Sequence, residues 1–140
     1  MKILLAVDGS LATKRMLSHL AAHEELLGGG HQYTVLTVVP PLPLHAGRFV
    51  DRDALQACYR EEAEQVFRPI RAFVAQQGWQ ASFETRVGHA AETIATMARE
   101  ERFELLVMGT HGHSALANTV LGSVVTGALA RCRTPMLLVH

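Results

Sequence analysis

The sequence predicts an α/β fold, a doubly wound five-stranded parallel sheet with helices on both faces, of the Rossmann-like kind. Three observations carry this prediction. Short apolar runs alternate with longer segments whose apolar residues recur at helical spacing, so the chain reads βαβαβαβαβ and its crossovers should be right-handed. The first and fourth runs, Lys2 to Val7 and Leu105 to Met108, are apolar almost throughout, as strands covered on both faces must be. Polar and glycine-rich stretches follow those same two runs, where a sheet that reverses its strand order opens a ligand crevice beyond the carboxyl ends of its strands.

Each element has its own signals. Lys2 to Val7 stops at Asp8-Gly9-Ser10, and Ser10 is a natural N-cap for a helix that places Leu17, Leu20, Ala21 and Leu27 on one side and ends at Gly28-Gly29-Gly30. Tyr33 to Val39 is a second β-branched run, closed by prolines. Pro40 to Val50 lacks periodicity and reads as a loop long enough to be a lid. A helix starting at Asp51 or Asp53 carries the stripe Leu55, Tyr59, Ala63, Val66, Phe67, Ile70, Phe73 and Val74, with Pro69 expected to bend or break it. Gly78 ends that helix. Gln80 to Val87 alternates as an edge strand does. A helix after Gly88 turns Ala91, Ile94, Ala95 and Ala98 inward, with Glu92 suited to its positive end. The last helix, Ser123 to about Arg131, puts Leu121, Val125, Ala128, Leu129 and Cys132 on its apolar side, and Pro135 opens the fifth strand, Met136 to His140.

Composition excludes several classes of function. The chain has 140 residues, enough for one domain (1–140) with a real core, and is 49% hydrophobic and 19% charged. Thirteen basic side chains balance thirteen acidic ones, so no global field attracts nucleic acid or an anionic membrane. Cys58 and Cys132 form no metal or redox motif and are expected to be buried in a reducing cytosol. The apolar start is too short for a signal peptide core or a membrane span, which points to a cytoplasmic protein.

The chemistry concentrates in GTHGHSALANTVLGS, Gly109 to Ser123, a glycine-rich loop between strand and helix. Gly109 and Gly112 are expected to turn through positive φ and bring backbone N–H groups close to a ligand, with Gly122 and Ser123 at the start of the next helix. A helix start offers unpaired N–H groups and partial positive charge, so its natural guest is a phosphate. The loop contains no lysine or arginine, which excludes GxxxxGK[ST], and GTHGHS departs from GxGxxG at its third position. His111 and His113 alternate as chelating residues can, but no carboxylate or cysteine stands nearby to complete a metal site.

What the loop does satisfy is G-x2-G-x9-G-[ST], and with the opening VDGS and the closing apolar strand it resembles the universal stress protein family in its ATP-binding branch. The resemblance covers nearly the whole chain. It implies strand order 3-2-1-4-5, a pocket for ATP (or ADP or AMP), and a homodimer formed through the terminal strand Met136 to His140. By the same resemblance Asp8 lies by the nucleoside, Val38 meets adenine through its backbone, and Ala6 lines the same floor. It also implies that Gly109, Gly112, Gly122, Ser123 and Val124 hold the phosphates through backbone N–H groups, with the Ser123 hydroxyl added; Met108, just before the signature, either closes the pocket by apolar contact or belongs to the core. Magnesium bridging the phosphates fits this picture, with Asp8 as its one evident protein ligand.

Two positions depart from the family. His111 stands where relatives often carry arginine, and Val125 where they often carry a hydroxyl residue. With no lysine, arginine finger or base to position water in the loop, binding with slow or no hydrolysis is the expected behaviour, and no residue is assigned a catalytic role. The implied function is that of a stress-response sensor or regulator. The rivals are an ATP-hydrolysing enzyme using the same pocket and a nucleotide-free dimeric scaffold.

Overall fold

The computed structural model describes residues 1–42, 51–111 and 121–140. Most of the expected lid, and Gly112 and His113 of the glycine loop, lie outside the described residues.

Five strands form one parallel sheet in the order β3-β2-β1-β4-β5. They are β1 (Lys2–Ala6), β2 (Gln32–Val39), β3 (Gln80–Val87), β4 (Leu105–Gly109) and β5 (Met136–Val139). The helices are α1 (Leu11–Ala22), α2 (Glu24–Leu27), α3 (Arg52–Gln77), α4 (Ala90–Glu100) and α5 (Ser123–Arg131).

The alternation of β1 explains the layering. Ile3, Leu5 and Val7 join a core with Met16, Leu17 and Leu20 of α1 and the stripe of α3, while Leu4 joins Ile94, Met97, Ala98, Val125 and Ala128 of α4 and α5 on the opposite face. Both faces of the central strands are therefore dry, which is why β1 and β4 carry apolar residues at odd and even positions alike. β3 is the half-exposed edge that its alternation suggested, and Glu84 and Arg86 on it hinder further strand pairing.

Several expectations are corrected by the packing. The first helix does not run on to the glycines: it ends at Ala22, His23 caps it, and α2 is a separate single turn. Pro69 does not break α3, which is continuous over its 26 residues. Pro69 and Gln65 are both exposed, so the carbonyl left without its helical donor can be hydrated, while Phe67 and Ile70 anchor the turn from its buried side. Cys58 is exposed rather than buried, because one residue before Tyr59 it falls off the buried stripe; Cys132 is partly buried. Leu129 is also exposed, since α5 rests on α4 through Val125 and Ala128. Gly78 caps α3 in the left-handed conformation at φ 70°, as its position predicted.

Candidate functional site

The crossovers leaving β1 and β4 depart in opposite directions, and a crevice of about 700 Å³ opens where they part. Its floor includes Ala6 and Met108 from the central strands and Leu36 and Val38 from β2. Ala90 and Ile94 of α4 form an apolar wall, and Asp8, Ser10, Ala12 and Thr13 face it across the opening. Gly109, Thr110, His111 and the segment from Leu121 to Gly127 complete the lining. Of the residues expected at the site, Ala6, Asp8, Val38, Met108, Gly109, Gly122, Ser123 and Val124 all meet here, while Gly112 lies outside the described residues.

The start of α5 borders the crevice. Its N-cap, Gly122, supplies no side-chain acceptor, so the first-turn N–H groups are not capped from that position. Gly122 is itself held firmly: its N–H donates to the Thr110 carbonyl at 2.7 Å, and its own carbonyl accepts from the Thr126 N–H and hydroxyl, each at 3.0 Å. The helix start is thus tied to the end of β4 with its amides directed along the axis. Among the described lining residues the only carboxylate is Asp8, and none is lysine or arginine.

The opposite rim is closed by its own side chains. Gly9, at φ 76°, makes the left-handed turn out of β1 that a residue with Cβ would adopt only under strain. Asp8 Oδ1 then accepts from the Ser10 N–H at 2.9 Å and from the Thr13 hydroxyl at 3.0 Å, while Ser10 Oγ caps α1 by accepting from the Thr13 N–H at 3.4 Å. Asp8 is accordingly both a turn residue and a pocket residue, two roles that compete only for its oxygen atoms.

Gly109 corrects the sequence reading. It is not among the glycines with positive φ. A Cβ built on it would lie 2.7 Å from Ala12 Cβ and 3.0 Å from the Ala12 carbonyl carbon and oxygen, so the glycine is there to let α1 close against β4. Val125 is also explained: it is buried in the core formed with α4, whereas the neighbouring Thr126 carries the hydroxyl at the crevice. Sequence reasoning missed Thr13 and Thr110, both buried and both hydrogen-bonded at the rims. Thr13 carried a signal, lying three residues after an N-cap serine and five after Asp8; Thr110 carried none.

These features define a class: an open α/β protein with a crevice, bordered by a helix start, at its topological switch point. The chain belongs to the universal stress protein family, whose model matches residues 1–140. A universal stress protein of Thermus aquaticus is 33% identical over 138 residues, covering 99% of this chain and 97% of its own. One from Synechocystis is 29% identical over 139 residues, covering 97% of this chain but only 41% of its own, so the chain spans less than half of that relative. Among solved structures, that of the hypothetical protein MJ0577 of Methanocaldococcus jannaschii superposes with TM-score 0.81 at 26% identity, covering 99% and 94% of the two chains. A universal stress protein family protein from Arabidopsis thaliana with AMP bound shares the fold, with TM-score 0.71 at 12% identity and coverage of 99% and 90%.

Proposed function

We propose that the crevice binds an adenine nucleotide, ATP or its lower phosphates, with slow or no hydrolysis, and that the protein acts as a nucleotide-dependent sensor or regulator in the cytoplasm. The observation that carries the reading is the start of α5, which receives no side-chain cap from Gly122, at the same crevice as Asp8 and an apolar floor. Phosphate oxygens accept from the first-turn amides of Ser123 and Val124 and from the Ser123 hydroxyl, and Asp8 accepts from a ribose hydroxyl. The AMP bound by the Arabidopsis relative is in keeping with this ligand class.

The strand geometry supplies a base selector. Leu36 accepts from the Val7 N–H on the β1 side, and Val39 accepts from the Gly88 N–H on the β3 side. Alternation along β2 then turns the N–H and C=O of Val38 toward β1, beyond the point where β1 pairing stops. Adenine offers an amino donor and a ring-nitrogen acceptor to such a pair, whereas guanine offers the reverse. Isothermal titration should therefore show AMP binding at least about tenfold more tightly than GMP, because guanine leaves buried groups mispaired. Equal affinity would remove the base selector, and no binding of any adenosine phosphate would remove the proposal.

The glycine loop and the described lining contain no lysine or arginine to stabilise charge during phosphoryl transfer, which supports retention rather than turnover. Asp8 Oδ1 already accepts two hydrogen bonds, and Asp8 is the residue that would help hold a magnesium ion, which would neutralise phosphate charge. At the sheet edge, Met136, Leu137 and Leu138 of β5 are half-buried, with no lysine to discourage pairing. A second copy pairing there about a two-fold axis completes the reading as a homodimer; a monomer at micromolar concentration in light scattering contradicts it.

A further inference from the structure

The last turn of α1 carries His19, and His23 caps the helix four residues on; both are exposed. Backbone and ring of His23 are fixed together. Its N–H donates to the Leu20 carbonyl at 3.2 Å, and its carbonyl accepts from the Leu26 and Leu27 N–H groups at 3.1 and 2.9 Å. Its Nδ1 lies 2.8 Å from the His19 carbonyl oxygen. A carbonyl only accepts, so Nδ1 of His23 carries a proton, and in the neutral ring Nε2 keeps its lone pair. The two imidazoles lie one over the other, 4.3 Å between centroids and 32° between planes.

The spacing H-x3-H sets both rings over one strip of helix surface, and in zinc peptidases it supplies two ligands to one ion. Here Leu20 stands where those enzymes carry a glutamate base, so the chemistry is binding and not hydrolysis. We propose that His19 and His23 form a bidentate site for a borderline divalent transition ion, zinc, nickel or copper(II), at the end of α1 away from the crevice. The His19 carbonyl presets the His23 tautomer that ligation through Nε2 needs, as the outer partner of a metal-bound histidine does. Two nitrogens about 2.1 Å from one tetrahedral ion stand about 3.4 Å apart, a distance that the exposed His19 ring reaches by turning over its neighbour. Imidazole donors select these ions over magnesium and calcium, which take oxygen. The carboxyl end of a helix also favours positive charge. Among the described residues no third histidine, cysteine, aspartate or glutamate gathers with the pair, so water fills the other positions and the ion is exchangeable. The site is independent of the nucleotide reading, because the crevice takes residues of α1 only as far as Thr13.

The test is nitrogen-15 NMR of the histidine-labelled full chain at mildly alkaline pH, where free imidazole is neutral, titrated with zinc chloride. Before zinc is added, the His23 proton should reside on Nδ1. Zinc should then shift His23 Nε2 and one ring nitrogen of His19 in step, saturating together, while magnesium chloride shifts neither. Zinc affinity read from the remaining ring should fall at least about tenfold in His19→Ala and in His23→Asn. Asparagine keeps an N–H donor for the His19 carbonyl, so His23→Asn should lose the ion with a Tm close to the parent's, which separates ligation from capping. Three results overturn the proposal: a metal-free His23 protonated on Nε2, rings unmoved at about 0.1 mM free zinc, or a remaining ring that binds zinc as tightly as the pair.

Discussion

Replacing Gly109 with alanine separates two explanations of a signature glycine. The new methyl group would sit 2.7 Å from Ala12 Cβ and 3.0 Å from two backbone atoms of the same residue, so relief requires α1 to move rather than a side chain to rotate. Overpacking of this kind costs about 1–3 kcal/mol, and rigid backbone contacts place it at about 2–3. Loss of glycine's freedom in the unfolded chain offsets about 0.5 kcal/mol, leaving a net loss of about 2. In a domain of this size that lowers Tm by about 6–8 °C. Because Ser10 and Thr13 hold Asp8 from the same turn of α1, AMP affinity should fall about threefold to tenfold as the rim shifts. Urea unfolding and calorimetric titration read the two effects separately. Combining Gly109→Ala with Ala12→Gly removes the shortest contact only, so the double-mutant cycle should show a favourable coupling of about 1 kcal/mol without full rescue. Stability within about 0.5 kcal/mol of the parent would refute the packing argument. Unchanged stability with lost affinity would return Gly109 to the role of a close approach to ligand.

Three further predictions follow from the fold. At the α4–α5 crossing, a Cβ on Gly127 would lie 2.6 Å from Ala91 Cβ, so Gly127→Ala should lose about 1 kcal/mol despite better helix propensity, and gain stability once Ala91 is replaced by glycine; urea midpoints decide the sign. Arg102, exposed at φ 55°, is in the left-handed region, and Arg102→Gly should raise stability by about 0.5–1 kcal/mol, read as Tm. Burial pushes the Tyr33 phenol up from 10.0 to about 12, while its hydroxyl donates to the Leu27 and Gly28 carbonyls. The neutral phenol is retained longer in the folded state, so its contribution is complete below pH 10 and is lost as pH rises through about 12; Tyr33→Phe should remove this part of the alkaline destabilisation in pH-dependent urea unfolding.

What the sequence makes legible is whatever depends on periodicity. The continuous apolar character of β1 and β4, the stripe of α3 and the alternation of β3 follow from which faces are covered, and composition reports that directly. The crevice was legible too, because strand order places the segments after β1 and β4 side by side. The hidden part is contact between distant residues. Gly109 looked like a turn residue until its distance from Ala12 was known, and Thr110 looked like a spacer until β5 brought His140 to its hydroxyl. Pro69 and Cys58 depend on phase around α3, which a list of apolar residues fixes less closely than the packed helix does.

The most direct test of the account is amide NMR of the protein titrated with AMP. The Ser123 and Val124 N–H resonances, in the first turn of α5, should move downfield together and saturate, with inorganic phosphate competing for the same shift. Resonances there that stay fixed while AMP binds elsewhere, or that stay fixed because AMP does not bind, would contradict it.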